Sequence, residues 1–348
     1  MNNSPTLSVV VPVYNGGLEL QRCLKALCGS DFQDYEIIVV DDASTDGATA
    51  TFEAPKVCIL RLATRSGPAA ARNRGVEQAR GKIILFVDAD VVVCRDTLPS
   101  VVAFFDEHPE VAAVFGSYDA EPDAENFVSQ YKNLLHHFVH QNSSTQASTF
   151  WSGCGAVRRG PFEAVNGFDE KRYSRPSIED IDLGYRLRRR QFLITLKKDL
   201  QVKHLKHWTI PSLLRADLFD RALPWSRLIL KDGVILDDLN LRLSERFCAG
   251  LVMTAASLLV LAYFFPALLL GIPISLTGVV FLKRSLLSFF YARGGAKFAL
   301  TSCAMLIGYY FYSAFVFASC YLTNFLRKLF RTSPLVGPRS RLRSGNDA

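Results

Sequence analysis

The chain has 348 residues, a formal net charge of +7 and 49% hydrophobic residues. The length is enough for one large domain or two modest ones, and the hydrophobic fraction is high for a purely soluble protein. Two of the three basic clusters border apolar stretches, so the positive charge indicates membrane headgroups and not nucleic acid. The eight cysteines are scattered without a Cys-x-x-Cys or Cys/His array. This excludes a disulfide framework and predicts a reducing cytoplasm for the soluble part of the chain.

The first part of the chain alternates short β-branched runs with helical patterns. No basic region followed by an apolar one precedes the first run, so we expect no cleaved secretory signal. Buried strands are predicted at residues 7–13 and 35–40, further strands at residues 57–61, 82–87 and 111–115, and helices at residues 18–27, 67–79 and 98–105. Repeated strand–helix–strand units predict an open, mostly parallel α/β sheet. Such sheets bind ligands outside the carboxyl ends of their strands.

The next segments carry weaker patterns. Residues 120–150 are predicted to be helical and then loop-like, and residues 151–157 are glycine-rich, which would let a substrate approach the backbone or simply form a turn. Residues 178–190 predict a helix whose acidic start and basic end suit the helix dipole. A final strand is expected at residues 193–197.

Long uncharged runs dominate from Phe247 onward. Residues 247–264, 266–282 and 299–322 each approach or exceed the length that crosses about 30 Å of hydrocarbon. Buried core helices are the alternative, but three such runs are hard to bury in a small domain. The positive charges of residues 283–298 favour a cytoplasmic loop, whereas the same rule disfavours an external basic tail. The number and topology of the spans therefore stay open.

Acidic residues follow two of the predicted strands. Asp88-Ala89-Asp90 follows the strand at residues 82–87, and two carboxylates this close repel each other unless a cation lies between them. A divalent ion there can bridge carboxylate and diphosphate oxygens. Asp41 and Asp42 follow an earlier strand, where a carboxylate can accept hydrogen bonds from a ribose or a base. Alone, Asp-x-Asp is more often a solvated turn, and an aspartate after a strand is often an Asx turn or a helix cap.

Three further sites complete the candidates. Arg72 and Asn73 lie in the helix between the acidic loops, where a guanidinium either contacts phosphate or faces solvent. Glu179 and Asp180 open a later helix, as its cap or as a general base for an acceptor hydroxyl. His204 follows the last strand and is a candidate ligand for metal or diphosphate, although a structural role is more usual for such a histidine.

Taken in order, these motifs resemble those of the family 2 glycosyltransferases of the GT-A fold. The motifs are residues 8–16, Asp41-Asp42, Arg72-Asn73, Asp88-Ala89-Asp90, residues 166–170 and Glu179-Asp180. Each is weak alone, but their joint order over about residues 6–210 is specific. The resemblance implies an inverting sugar transfer from a nucleotide-activated donor.

The resemblance also implies roles for residues. Pro12, Tyr14 and Asp41 would line the nucleoside pocket, and Asp180 would be the base. Asp88 and Asp90 would lie at the nucleotide diphosphate and a divalent metal, Mg or Mn. The remaining assignments are Asn15, Asp42, Arg72 and Asn73 to donor binding, Glu179 to catalysis and His204 to the metal.

Departures from the family pattern bear on the alternatives. Residues 153–156 stand where the family often has Gly-Gly-Asn, so contacts to the sugar there stay open. The Gln-x-x-Arg-Trp motif of processive polysaccharide synthases has no match at residues 218–227, which argues against a polymer-threading synthase. No Gly-x-Gly-x-x-Gly follows the first strand, which argues against a nicotinamide-binding enzyme. The intact carboxylates count against a non-catalytic membrane scaffold with a degenerate head.

The predicted organisation is a GT-A head at residues 1–210, an interfacial amphipathic segment at 211–246, transmembrane helices at 247–325 and a basic, disordered tail at 326–348. We expect a multi-pass protein of the inner (plasma) membrane with a cytoplasmic head. The expected partners are a nucleotide-sugar donor and a lipid-linked or cell-envelope glycan acceptor, without nucleic acid. The sequence names neither the sugar, the nucleotide base nor the oligomeric state.

Overall fold

The structure is a computed structural model that describes residues 4–50 and 52–331. Its strands are β1 (Leu7–Val13), β2 (Tyr35–Asp41), β3 (Val57–Arg61), β4 (Ile83–Val87), β5 (Val91–Val92), β6 (Val111–Tyr118), β7 (Cys154–Arg158) and β8 (Leu193–His204). They form one eight-stranded sheet in the order β3-β2-β1-β4-β7-β6-β8-β5. Most of the predicted tail, residues 332–348, lies outside the described residues.

The first half of the sheet is parallel. Strands β3, β2, β1 and β4 run in one direction, and all residues of β1 and β4 are buried. Alternate side chains of β1 enter two different cores, with Val10 on one face and Val9 and Val11 on the other. The helices α1 (Gly17–Cys28), α2 (Pro68–Gln78) and α3 (Thr97–Glu107) cover these faces. The apolar runs of β1 and β4 therefore mark strands buried on both faces, whereas the edge strand β3 is largely exposed. The predicted strands and parallel pairing of this half are confirmed.

The second half mixes directions and differs from the prediction. Strand β7 lies antiparallel between β4 and β6. It begins within residues 151–157, which were predicted to form a turn or to let a substrate approach the backbone. Its glycine serves close packing, because a Cβ at Gly155 would lie 2.2 Å from the Trp151 carbonyl oxygen. Strand β8 is parallel to β6 and continues from the predicted residues 193–197 to His204. This extension places His204 at a strand end.

Helices border this second half. The head continues with α4 (Phe127–Gln141), α5 (Arg159–Ala164) and α6 (Glu179–Arg189). In the predicted interfacial segment, α7 (Ile210–Arg215) passes through a π-helical segment, Ala216–Ala222, into α8 (Leu223–Asp232). A short 3₁₀ turn, Leu239–Leu241, precedes the C-terminal helices.

The C-terminal part consists of α9 (Leu243–Leu261), a 3₁₀ turn (Pro266–Leu270), α10 (Gly271–Leu282) and α11 (Arg284–Arg331). Helix α9 and residues 284–329 are long and apolar enough to cross a membrane. Helix α10, at about 1.5 Å per residue, is about 18 Å long and does not reach across about 30 Å by itself. Residues 283–298, read as a loop, are largely helical, and the chain bends only at Gly294 and Gly295.

The apolar helices are not a buried core in the described structure. Only 17% of the apolar window of α9 and 11% of that of α11 is buried. The head contacts them through α4, where Tyr131 packs 5.9 Å from Phe290 between ring centroids and Val128 and Leu134 join the same cluster. The alternative that these apolar runs are buried core helices therefore does not hold in the described structure.

Candidate active site

A cavity of about 690 Å³ opens at the carboxyl ends of the sheet strands. It is lined by residues at or just past the ends of β1, β2, β4, β6 and β8, which is where an open α/β sheet binds ligands. Its lining contains the predicted site residues Pro12, Tyr14, Asn15, Asp42, Arg72, Asp88, Asp90, Glu179, Asp180 and His204. Asp41 and Asn73 are absent from the lining.

Asp88 and Asp90 leave the end of β4 with their carboxylates partly open to this cavity. Their side chains are 32% and 30% exposed. Burial raises the pKa of Asp88, and the neighbouring Asp90 carboxylate adds to this effect although Arg72 opposes it. Burial also acts to raise the pKa of Asp90, but the nearby His204 ring outweighs it and lowers that pKa. The two carboxylates therefore form a concentration of negative charge in the cavity.

His204 stands beside Asp90. The Nε2 atom of His204 lies 3.6 Å from Oδ2 of Asp90, and the ring stacks on Tyr118 at 4.0 Å between centroids. The Leu205 N–H donates to the Asp90 carbonyl oxygen over 2.8 Å, so the two strand ends are held together. The structural role that the sequence left open for His204 is thus present, and its Nε2 still faces the acidic pair.

The acidic pair has the chemistry of a shared metal site. No three His, Cys, Asp or Glu side chains in residues 4–50 and 52–331 are grouped to hold a metal ion by themselves. Mg²⁺ and similar ions in nucleotide sites use one or two carboxylates and take their other ligands from phosphate oxygens and water. Asp90 and Asp88, with His204 beside them, fit that arrangement and do not fit an all-protein cage.

Arg72 joins two of the acidic motifs. Its guanidinium donates to Asp88 Oδ1 over 2.7 Å and to Glu179 Oε1 over 2.9 Å, and the residue is only 4% exposed. Burial acts to lower the pKa of Arg72, but the two carboxylates raise it further above its usual range. The alternative of a solvent-facing helix position is therefore wrong for Arg72.

Glu179 and Asp180 are adjacent but occupy different environments. Both carboxylate oxygens of Glu179 have donors, Arg72 on Oε1 and the Ser177 N–H on Oε2, and the residue is 4% exposed. Asp180 is half-buried, and the Ser152 N–H donates to its Oδ2 over 3.1 Å. Burial and the charge of Glu179 raise the pKa of Asp180 to about 6. Asp180 thus has the basicity of a general base, whereas Glu179 positions Arg72.

The pair after β2 is built into the fold. Asp41 is fully buried and accepts hydrogen bonds of 2.8 Å from the Ser44 N–H and the Thr49 hydroxyl. Burial acts to raise the pKa of Asp41, but these hydrogen bonds and the Arg61 charge lower it. Asp41 does not line the cavity. Because Asp41 is fully buried and outside the lining, the structure shows no direct path from its carboxylate to a ligand in the cavity, and the predicted contact to the nucleoside stays a prediction.

Asp42 fixes the loop that leads into α2. Its two oxygens accept from the Ser66 N–H over 2.6 Å and the Gly67 N–H over 2.8 Å. Gly67 has a φ of +89°, and a Cβ there would meet the Ser174 backbone at 2.5 Å, so only glycine fits. The loop in turn sets the position of Arg72 in the first turns of α2.

Asn73 is absent from the cavity lining, so the structure shows no contact for it with a donor and that assignment stays a prediction. Its amide donates to the Phe168 carbonyl oxygen and accepts from the Phe168 N–H, each over 2.9 Å. Successive helical residues point about 100° apart, so Arg72 and Asn73 cannot both face one cavity. Asn73 holds the loop of residues 166–170 against α2.

The loop after β1 contributes an exposed aromatic ring and a constrained turn. Tyr14 is 40% exposed, and the Arg65 guanidinium lies 3.7 Å from its ring centroid. Asn15 has a φ of +53°, and its Oδ1 accepts from the Thr45 N–H over 2.8 Å. Asn15 therefore lines the cavity while it connects two loops, and the exposed Tyr14 ring leaves surface for a ligand, whereas Pro12 lines the cavity from a buried position in β1.

Part of the cavity lining was missed by the sequence analysis. The missed residues include Lys132, His136, Trp151, Lys206, Arg221 and Trp225. These residues come from α4, the loop before β7, the loop after β8, the π-helical segment and α8. No motif groups them, because they are distant along the chain and converge only in the fold. Trp151 alone lay in a stretch already read as a possible approach to the backbone.

Residues 8–166 match the family model described as Glycosyl transferase family 2. The chain contains a family 2 glycosyltransferase domain. It is 38% identical over 108 residues to the poly(ribitol-phosphate) beta-N-acetylglucosaminyltransferase TarS of Staphylococcus aureus, covering 29% of this chain and 19% of that protein. It is 31% identical over 129 residues to the glycosyltransferase GlyG of Streptococcus pneumoniae, covering 36% and 43%. The alignments thus span less than half the length of these curated relatives.

Solved structures with similar folds cover nearly the whole chain. The mannosyltransferase PcManGT of Pyrobaculum calidifontis, in complex with GDP-Man and Mn²⁺, aligns with a TM-score of 0.57 at 18% identity, over 95% of this chain and 89% of that one. Residues 1–349 of Staphylococcus aureus TarS align with a TM-score of 0.51 at 20% identity, over 92% of each chain. At these identities the likeness shows the fold, and the head has the GT-A fold.

Proposed function

We propose that the protein is an inverting glycosyltransferase that moves a sugar from a nucleoside-diphosphate donor to a lipid-linked or cell-envelope glycan acceptor at a membrane. The observation that supports this best is the combination of groups in one cavity. Asp88 and Asp90 supply clustered carboxylates, and Asp180 supplies a carboxylate with a pKa raised to about 6. A sugar transfer needs both, one for the leaving diphosphate and one for the acceptor proton.

In the proposed reaction the acceptor hydroxyl gives its proton to the Asp180 carboxylate. The hydroxyl oxygen forms the new bond to the anomeric carbon while the bond from that carbon to the donor phosphate oxygen breaks. The nucleoside diphosphate leaves with the bond's electron pair. A single displacement inverts the anomeric configuration. Glu179 and Arg72 hold the elements that carry Asp180 and Asp88 in place.

The proposed cofactor is a divalent metal, Mg or Mn. Asp90 and Asp88 would hold it together with the donor diphosphate, and His204 lies close enough to assist. Bound there, the metal would neutralise charge on the leaving diphosphate. Neighbours of the same fold were solved with GDP-Man and Mn²⁺ or with UDP-GlcNAc, which supports a nucleotide-sugar donor without naming it for this chain.

The proposed location is a membrane, with the head on the cytoplasmic side. Two described helices are long and apolar enough to span a bilayer, and large side chains on them, such as Leu259, Val260 and Leu300, are exposed. The eight cysteines, all within the described residues, are free, as expected in a reducing compartment. We also propose that the protein crosses the inner membrane more than once.

The test is a screen of the full-length protein in detergent against a panel of nucleotide sugars with Mg²⁺ or Mn²⁺. Thermal shift and nucleotide release are read together. We expect one nucleoside diphosphate to stabilise the protein in a metal-dependent way and the matching sugar nucleotide to be consumed. If no nucleoside diphosphate raises the melting temperature, the protein is a scaffold and the proposal fails. Products with many sugars added per acceptor would favour a processive synthase instead.

A further inference from the structure

The cavity has lining residues that the proposed transfer chemistry does not use. Three cations, Lys132 of α4, Lys206 of the loop after β8 and Arg221 of the π-helical segment, line it, and we call them the basic end. The carboxylates of the lining, by contrast, belong to Glu19, Asp42, Asp88, Asp90, Glu179 and Asp180. The two kinds of charge thus sit on different structural elements of one cavity.

The basic end is only partly neutralised by the protein. Lys132 Nζ and Arg221 Nη1 share one carboxylate oxygen, Asp217 Oδ1, at 2.7 and 3.5 Å. Lys206 has no ion pair within the described residues and lies 4.4 Å from the Trp208 ring centroid. Burial, followed by the charge of Arg221, lowers the pKa of Lys132 to about 8 in spite of Asp217. Cations that repel each other in a cavity favour an anionic ligand between them.

Polar groups on the same lining also lack partners. The Thr149 hydroxyl and the Trp208 indole N–H are buried and have no hydrogen-bond partner in the part of the chain that the structure describes. Buried polar groups are nearly always paired in folded proteins, with protein atoms or with water or a ligand. Both can donate, which again suits a ligand rich in acceptor oxygens.

The basic end is attached to the apolar helices. The second oxygen of Asp217 accepts from the Tyr312 hydroxyl of α11 over 2.7 Å. The π-helical turn makes Asp217 and Arg221 face α4 together, and such π segments are frequent at functional sites. A ligand bound by these cations is therefore held by the elements that join the head to the apolar helices.

We propose that the acceptor carries a phosphate group, which the basic end binds while the acceptor hydroxyl or phosphate oxygen is presented to the donor sugar. The inference rests on the proposed glycosyl transfer, because it names the substrate class of that same cavity. Lysine and arginine are the side chains that bind phosphate oxygens most strongly, and the guanidinium can do so in a bidentate way. The phosphate can belong to a lipid headgroup or to a phosphate-bearing glycan.

The experiment measures ligand affinity of the full-length protein in detergent, saturated with the nucleoside diphosphate and metal that stabilise it best. The probes are farnesyl phosphate, farnesol and inorganic phosphate. We expect farnesyl phosphate to bind at least about tenfold more tightly than farnesol. The Arg221→Gln variant should lose about tenfold in affinity for farnesyl phosphate and keep its weak affinity for farnesol. Tighter binding of farnesyl phosphate than of inorganic phosphate assigns the source to a lipid, and equal binding assigns it to a glycan phosphate.

The matched control is Arg227→Gln, which removes an exposed arginine of α8 outside the cavity lining. It should bind farnesyl phosphate as the wild type does. Arg221 is itself about half-exposed, with 48% of its side chain accessible, so its variant is expected to fold. If Lys132 rather than Arg221 carries the binding, Lys132→Arg should retain the phosphate preference that Lys132→Gln loses.

Several outcomes overturn the inference without touching the proposed function. Farnesol binding as tightly as farnesyl phosphate, or both Arg221→Gln and Lys132→Gln binding farnesyl phosphate as Arg227→Gln does, would show that the basic end does not bind the acceptor phosphate. A loss of nucleoside-diphosphate affinity in Arg221→Gln would assign these cations to the donor instead. Failure of the proposed function looks different, because then no nucleoside diphosphate stabilises even the wild type.

Discussion

The two aspartate motifs at the ends of parallel strands have opposite fates in the fold. Asp41 and Asp42 are 0% and 3% exposed, and all their oxygens accept hydrogen bonds from nearby loops. Asp88 and Asp90 are about one-third exposed and face the cavity. The difference comes from the course of the chain beyond each strand. The chain folds back over Asp41 and Asp42, whereas after Asp90 it enters β5 and pairs with β8, which leaves the carboxylates open.

The pair at the start of α6 repeats this difference within two residues. Glu179 is committed to Arg72 and Ser177, and Asp180 keeps a half-exposed carboxylate with a pKa raised to about 6. Both oxygens of Asp180 also accept hydrogen bonds, from the Ser152 and Ile181 N–H groups, so the two carboxylates differ in exposure and not in whether they have donors. Replacing each aspartate by asparagine distinguishes structural from catalytic carboxylates, because asparagine keeps the shape of the side chain and removes its charge.

The largest effect on activity is expected for Asp90→Asn. Loss of this charge should lower the rate of nucleotide release by about 100-fold or more, because it weakens stabilisation of the leaving diphosphate. The melting temperature of the ligand-free protein should hardly change, since Asp90 is open to the cavity. Initial rates and thermal melts check both statements. Wild-type rates in this variant would show that Asp90 does not take part in the reaction.

Asp180→Asn should lower kcat by about 10²- to 10⁴-fold while nucleoside-diphosphate affinity stays close to that of the wild type. The amide oxygen can still accept from the Ser152 N–H, but the amide nitrogen cannot accept from the Ile181 N–H, so thermal melts are needed to separate a loss of stability from the loss of rate. Steady-state kinetics and a nucleotide titration measure the two quantities. An equal loss in nucleotide affinity would place Asp180 in donor binding and would contradict its role as the base.

The pH dependence of the rate tests Asp180 independently. Its raised pKa, about 6, means that the carboxyl is protonated and inactive as a base at lower pH. The value of kcat/KM should therefore rise about tenfold per pH unit up to pH 6 and level off above it. Glu179 and Arg72 face the same region, so the Glu179→Gln variant should shift the break to lower pH by removing a like charge. A flat profile from about pH 4.5 to 7 would be the contrary result.

Asp41→Asn should act on stability and much less on chemistry. It replaces a buried acceptor of two hydrogen bonds and removes a charge paired loosely with Arg61 at 3.8 Å, so we expect a loss of about 1–3 kcal/mol in the free energy of unfolding. The rate per folded molecule should change less than threefold, about 0.6 kcal/mol. Denaturant melts and kinetics at a temperature below the transition test this. A large loss of nucleoside affinity with unchanged stability would restore Asp41 to the donor pocket.

The smallest effect is expected for Asn73→Ala. Two hydrogen bonds to the Phe168 backbone are lost on the side of α2 away from the cavity, at a cost of about 1 kcal/mol each in stability. The KM for the donor should be unchanged. Comparison with Arg72→Lys, which disturbs the bridge between Asp88 and Glu179, supplies the contrast between neighbouring positions of one helix. A raised KM in Asn73→Ala would return Asn73 to the donor site.

The sequence by itself determined the strands of the parallel half and the placement of acidic residues at their ends. That information is local, because β-branched runs and the residues that stop them are read within a few positions. It also determined that the C-terminal part is apolar. It could not reveal β7, whose small residues read as a turn, nor the bend at Gly294 and Gly295 within α11.

Only the tertiary structure decided which carboxylates remain available. Arg72 reaches Glu179 across 107 positions of the chain, and Asp217 meets Tyr312 across 95. Whether a buried carboxylate finds its donors depends on such distant partners, and burial and partner charges together set its pKa. For the same reason Asp41 and Asp90, nearly alike in their local sequence, became a structural residue and a candidate site residue.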